Sequence, residues 1–150
     1  MSETTTSQQL VVFTLGAEEY ALPIAAVSEI IRSTEPRSVA SEVAWIRGVI
    51  GLRGKIIPIF DLAARLALPA SGDGVSGKIV ILETGGGQVG VMVDEVEEVL
   101  TLESGQLEDV PTANPDTVEA IAKIGDRLMI LLNPEGLFAA ASSTDDLAVA

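Results

Sequence analysis

The chain has 150 residues, 22 acidic against 9 basic, giving a formal net charge of -13, with no histidine and no cysteine. That length suits one domain with a sizeable core, and the acidic balance opposes binding to a nucleic-acid backbone. Without Cys or His, disulfides, thiolate metal sites and histidine-based catalysis are excluded, and no metal or cofactor is expected.

A hydrophobic content of 47% suits a folded protein, and with aromatics at 3% the core must be packed with Val, Ile, Leu and Ala. Gly 14 and Pro 7 cut the apolar residues into short runs, a β pattern rather than a helical one. The polar start, Met1 to Gln9, has no apolar segment after a basic one, and no stretch approaches the ~18–20 apolar residues of a membrane span. A soluble, cytoplasmic protein with no direct membrane insertion is expected.

In chain order, residues 1–9 read as a flexible N-terminal arm. Leu10 to Leu15 and Glu18 to Ile24 read as a hairpin around Gly16. Ala25 to Arg32 fits either helical or extended spacing, and one helical turn leading into a strand is the favoured reading. Val49 to Phe60 is a second hairpin, with Gly54 supplying a positive φ at a tip that holds up Leu52, Arg53 and Lys55. Asp61 suits the N-cap of a short helical segment. Residues 69–77 are a Gly/Ser/Pro connector.

The second half repeats this order. Val11-Val12-Phe13 matches Ile79-Val80-Ile81, and Val27-Ser28-Glu29-Ile30 matches Val96-Glu97-Glu98-Val99, at offsets of 68 and 69. The Leu52-Arg53-Gly54 turn corresponds loosely to Gly125-Asp126-Arg127, and Asn133 with Pro134 opens a second short helix, as Asp61 does the first. A degenerate duplication of one small β-unit follows, and two small barrels sharing an aliphatic core would bury both copies and remove exposed edges. Residues 139–150 read as a flexible C-terminal tail.

Two motifs suggest enzymes and fall short. Gly72 to Lys78 has G-x-x-x-x-G-K spacing, yet Ile79 stands where a Ser or Thr must hold Mg²⁺, and a strand follows where a helix is needed. Asp61, Asp94, Asp109 and Asp126 could supply an acid/base pair, but no spacing brings two of them together. The expectation is a protein that is not an enzyme. Glu29 beside Val27 reads either as a solvated strand residue or as part of an apolar-plus-acid docking patch. Arg53 is either a solvated tip or a carboxylate anchor, and Trp45 a core or interface anchor.

Five segments in order carry a resemblance: Val11 to Tyr20, Val27 to Ile30, Arg47 to Leu62, Gly90 to Asp94 and Gly125 to Leu128. Together they resemble the CheW family of chemotaxis coupling proteins over about residues 10–138. The resemblance implies a mainly β fold of two five-stranded, SH3-like β-barrels around a shared core, with short helical segments. It implies an adaptor coupling the cytoplasmic tips of chemoreceptors to the regulatory domain of the histidine kinase CheA, recruited to receptor arrays at the inner face of the membrane. A scaffold of a pilus or other non-flagellar pathway is the alternative. On this likeness Val27, Glu29 and Arg53 map to receptor binding and Gly48 to kinase binding. Family members can present basic and aromatic contacts in the loop where this chain has Glu108 and Ala113.

Overall fold

The computed structural model describes residues 7–16, 18–38, 45–66, 77–85, 87–108 and 117–137. The first half comprises β1 (Ser7–Leu15), β2 (Glu18–Pro23), a 3-10 turn (Ile24–Ala26), β3 (Val27–Arg32), β4 (Ile46–Leu52), β5 (Lys55–Asp61) and α1 (Leu62–Arg65). The second comprises β6 (Lys78–Thr84), β7 (Gly87–Val93), β8 (Glu95–Glu103), a 3-10 turn (Ser104–Gln106), β9 (Leu107–Glu108), β10 (Val118–Ile124), β11 (Arg127–Leu132) and α2 (Pro134–Leu137). The ambiguous stretch is thus one helical turn followed by a strand. Both caps form: Asp61 Oδ1 accepts from the Ala64 N–H at 3.1 Å, and Asn133 Oδ1 from the Gly136 N–H at 3.3 Å.

The strands form two sheets, β8-β1-β2-β11-β10-β9 and β3-β6-β7-β5-β4. Each has the five-strand frame the resemblance implies, and the six-stranded one adds only the two-residue β9. The copies are not the sheets, however. The β1-β2 hairpin of the first half inserts among β8, β10 and β11, while β6-β7 of the second inserts among β3, β4 and β5. Each insertion makes one parallel contact, β2 with β11 and β5 with β7. Exchange of hairpins between equivalent units ties the halves together as a domain swap ties two subunits.

Alternation along the strands sorts the apolar side chains into three cores. Leu10 and Val12 face Ala21, Leu102, Ala122, Met129 and Leu131 inside the six-stranded barrel. Ile57, Ile59, Ile79 and Ile81 fill the five-stranded one. The opposite faces of the same strands, including Phe13, Leu22, Phe60, Val80, Leu82 and Val91, meet between the sheets in a shared core. No polar side chain is buried among the described residues, so these cores carry no desolvated group needing a partner. At the rim of the shared core, Trp45 packs edge-on against Phe60 with ring centroids 5.4 Å apart. Arg65 lies 5.1 Å over the Trp45 ring and donates to the Leu137 carbonyl at 3.0 Å, joining α1 to α2.

One boundary needs correction. Strand β1 begins at Ser7, so residues 7–9 belong to the sheet rather than to the arm expected over 1–9. Ser7, Gln8 and Gln9 pair with Glu103, Leu102 and Thr101 on β8, because backbone pairing at an edge asks nothing of side-chain polarity. The connector over 69–77 and the tail over 139–150 lie outside the described residues, except Gly77, whose carbonyl accepts from the Ser33 N–H at 3.1 Å. Gly72 to Ser76 are likewise outside, and Lys78 opens β6, a strand and not a helix.

Candidate docking site

Hydrogen bonding leaves β3 and β4 at opposite ends of the five-stranded sheet, so something else must curl it into a barrel. Two contacts do. After β3 the chain crosses to the far edge, where Arg37 and Val49 exchange two backbone hydrogen bonds of 2.8 Å each. At the other end of β4 the Arg53 guanidinium reaches the Glu29 carboxylate on β3. The tip that carries Arg53 is a two-residue turn closed by the Leu52–Lys55 pair, with positive φ at both Arg53 (52°) and Gly54 (80°). Positive φ at both central residues is the type I′ pattern, usually filled by Asn-Gly or Gly-Gly. An arginine there occupies a conformation that disfavours its Cβ, and that conformation carries its side chain to Glu29.

Val27, Glu29 and Ile31 alternate with exposed Ser28, Ile30 and Arg32 along β3. Val27 packs against the shared core, and the Glu29 side chain, at 24% exposure, is far less open than Arg53 at 71%. The structure therefore brings Glu29 and Arg53 into contact, but a bulge between Val27 and Glu29 leaves Val27 on the other strand face, paired with Leu82 of the shared core while Glu29 pairs with Ile81 of the five-stranded core. Exposed Ile24 and Ile30 lie near Val27 in the chain. Gly48 is not part of this group. It lies on β4, four residues before Leu52, or roughly 13 Å along the strand. It is buried at φ 150°, with the Arg37 carbonyl oxygen 2.1 Å from where a Cβ would stand. Its immediate role is to let the Pro36-Arg37 segment lie against β4.

The second barrel is closed by the same device. Arg127, at the start of β11, reaches Glu98 on β8 at 2.9 Å and Glu19 on β2 at 3.0 Å. Glu98 is the duplicate of Glu29, so the repeat preserved a closing ion pair while moving its cation from the hairpin tip into the strand. The signal was present in the matched Val-x-Glu segments. Arg53 is held above its usual pKa by the hydrogen bond and charge of Glu29, and Arg127 by its hydrogen bonds to Glu19 and then Glu98. Raised from an already high value, both guanidiniums stay charged at any ordinary pH, so salt rather than pH is the lever that loosens them. Replacing Arg127 with Gln is expected to lower Tm by about 1–4 °C at low salt, and by visibly less near about 0.5 M NaCl. Differential scanning calorimetry at the two salt concentrations checks this.

The remaining candidates have structural work. Asp61 caps α1 with one oxygen and meets Arg47 at 3.3 Å with the other. Asp94 accepts from the Gly16 N–H at 2.6 Å. Glu108 faces Lys123 at 3.4 Å, while Asp109 and Ala113 lie outside the described residues. No group of three or more Asp or Glu suited to a metal occurs among the described residues, and no helix among them is long and apolar enough to cross a membrane.

Sequence reasoning missed a groove on the outside of the five-stranded barrel. It has a volume of 380 Å³, with Val49, Ile50, Gly51 and Ile56 as its floor and Thr34, Glu35 and Arg37 along one wall. Ile56 is 76% exposed, an aliphatic side chain turned outward from a strand whose other face is packed.

Comparison with known proteins accords with this architecture. A family model described as the CheW-like domain matches residues 9–142. The chemotaxis protein CheW of Klebsiella aerogenes is 33% identical over 137 residues, covering 89% of this chain and 82% of the relative. CheW of Bacillus subtilis is 31% identical, covering 95% of this chain and 94% of the relative. The crystal structure of the scaffolding protein TtCheW from Thermoanaerobacter tengcongensis superposes with a TM-score of 0.84 at 31% identity, covering 95% of this chain and 99% of that one. Two exchanged barrels around one core, each closed by an Arg–Glu pair, and a family match over nearly the whole chain lead to one conclusion: the chain belongs to the CheW family of chemotaxis scaffold proteins.

Proposed function

We propose that this protein is a non-enzymatic adaptor that holds chemoreceptor cytoplasmic tips and the regulatory domain of the histidine kinase CheA in a fixed mutual position in the cytoplasm, at the inner face of the membrane. The observation that carries the proposal is the Arg53–Glu29 pair at the edge of the five-stranded barrel, with Val27 on the same strand, on a chain that belongs to a scaffold family. A receptor is a bundle of helices, and a helix docks by laying an apolar stripe in a groove and fixing its register with a few charges. Val27, with Ile24 and Ile30 exposed beside it, supplies apolar surface, and Glu29 and Arg53 supply two opposite charges already oriented by each other. Pre-orientation lowers the entropy lost when a partner binds.

Gly48 acts on the kinase side as a positioning residue: it seats Pro36-Arg37 on β4 and so shapes the surface offered there. Contacts of this kind are individually weak and become firm in an array through multivalency.

The test is a pull-down of the full-length protein against receptor tips and against the kinase regulatory domain. Arg53→Ala and Glu29→Ala are expected to reduce receptor retention at least about fivefold, as loss of a central charged contact does, with kinase retention less affected. Wild-type protein that binds neither partner would sink the proposal.

A further inference from the structure

The chain passes between the barrels at two places. It leaves the six-stranded barrel through Ile24–Ala26 and returns from the five-stranded one at Asp94, which joins β7 to β8. The core between the barrels, with Phe13 and Leu22 on one side and Phe60 and Val91 on the other, holds no buried polar side chain among the described residues. Apolar packing resists separation but is non-directional, so two junctions and such a core specify the angle between the barrels only weakly. Hydrogen bonds are directional, and α2 carries contacts of that kind from one barrel to the other.

α2 follows β11 and so belongs to the six-stranded barrel, where the N–H of its cap residue Asn133 donates to the Thr117 carbonyl at 2.9 Å. From there it reaches the five-stranded barrel twice. Both oxygens of Glu135 accept from the Gly85 N–H, at 3.1 Å each, at the tip of the β6–β7 hairpin. The Leu137 carbonyl accepts from Arg65 Nε at 3.0 Å. Local sequence delivers Arg65 to that place: three residues after buried Leu62 in α1, it lies on the same helix face. Its guanidinium is held over the Trp45 ring, which fixes the plane from which Nε donates, a constraint that a lysine ammonium does not have.

The duplication shows the carboxylate contact twice. Gly16 and Gly85 are the first residues of the two-residue turns closed by the pairs Leu15–Glu18 and Thr84–Gly87. The Gly16 N–H goes to Asp94 Oδ2 at 2.6 Å, as the Gly85 N–H goes to Glu135. Each acceptor stands just past the last strand of the opposite barrel, Asp94 directly after β7 and Glu135 three residues after β11. The two carboxylates hold different places in the repeat, so it is the contact and not the residue that the copies share.

We propose that Arg65 and Glu135 are positioning residues: through α2 they fix the angle between the two barrels, and so the mutual placement of surfaces that lie on each. The core supplies cohesion and α2 supplies direction. The inference rests on the scaffold reading only for what a fixed angle serves.

The experiment measures residual dipolar couplings of backbone amides on the isotope-labelled full chain, aligned in an uncharged stretched gel because the chain carries a net charge of -13, with urea midpoints recorded alongside. In the wild type a single alignment tensor should fit β1, β2 and β8 to β11 together with β3 to β7. In Arg65→Met, whose straight side chain still covers Trp45, and in Glu135→Ala, each barrel should keep its own fit while the two tensors separate by at least about 10°. Glu135→Gln, which keeps a carbonyl oxygen for Gly85, should restore the single tensor. Met129→Ala, a lesion inside the six-stranded core, should lower the urea midpoint further than either variant and still leave one tensor.

One tensor in both Arg65→Met and Glu135→Ala would overturn the proposal, as would a Glu135→Gln protein that stays split. So would equal separation in Met129→Ala, which would make the angle a consequence of stability, or loss of fit within one barrel, which would make the contacts local supports. The couplings are measured on the protein alone, so their failure leaves the pull-down above unaffected, and the two readings fail separately.

Discussion

Gly48→Ala is expected to destabilise the protein by about 3 kcal/mol, the sum of left-handed backbone strain at a non-glycine residue and loss of two backbone hydrogen bonds. Gly48 has φ 150°, where an L side chain is strained whatever the space around it. The space is also absent: an added Cβ would lie 2.1 Å from the Arg37 carbonyl oxygen and 2.7 Å from its carbon. Neither atom can swing aside as a side chain would, because both belong to the backbone that Arg37 and Val49 hold together with two 2.8 Å hydrogen bonds. Relief requires peeling residues 36–37 away from β4, which opens one of the two contacts that close the five-stranded barrel.

Against a total stability of about 5–15 kcal/mol, the loss should lower Tm by roughly 6–12 °C and shift the urea midpoint with little change in slope. Gly51→Ala, three residues along the same strand with nothing within 4 Å of its added Cβ, should stay within about 0.5 kcal/mol of wild type. A Gly48→Ala loss below about 1 kcal/mol would refute the account. The pair of variants also separates two roles. If Gly48→Ala lost kinase binding with its stability intact, Gly48 would be a direct contact and not a positioning residue.

How far the sequence could be read depended on whether a signal was local. The turn-then-strand at Ile24–Arg32 and the caps at Asp61 and Asn133 are local, and they were legible because a few side chains within one turn decide them. The internal repeat carried the barrel frame.

The hairpin exchange was hidden, since β1 and β6 have the same alternation and either sheet would bury it; the choice lies in the parallel pairings of β2 with β11 and β5 with β7. At the hairpin tip the positive φ was assigned to Gly54 alone, whereas Arg53 shares it. Propensity argues against arginine there, and the compensating contact, Glu29, lies 24 residues away. Arg37 was silent for the same reason: its bridge to Val49 is a backbone event in a stretch with no strand pattern. The candidate site is thus a product of closure, and closure is what sequence periodicity does not encode.

Phe60→Ala is expected to remove about 3–5 kcal/mol and to destabilise both barrels together. Phe60 sits on β5 of the five-stranded sheet, fully buried, but the core it fills is built from both sheets, with Phe13 and Leu22 from β1 and β2 and Leu132 from β11 on the other side. It also carries the edge-on contact with Trp45, over which Arg65 reaches to α2. A cavity there loosens the surface that each barrel presents to the other. The five-stranded sheet is one continuous stretch, β3 to β7, set into the six-stranded one, so what couples the two is the core they share.

Hydrogen exchange at two amides, Ile57 inside the five-stranded barrel and Ala122 inside the six-stranded one, reads this directly. Phe60→Ala should lower the opening free energy at both sites by the same amount. Met129→Ala, confined to the six-stranded core, should do likewise, since two barrels packed on one shared core unfold as one cooperative unit. A fall at Ile57 with Ala122 unchanged would show two independently stable units, and a scaffold built that way could not fix the geometry between partners held on different barrels.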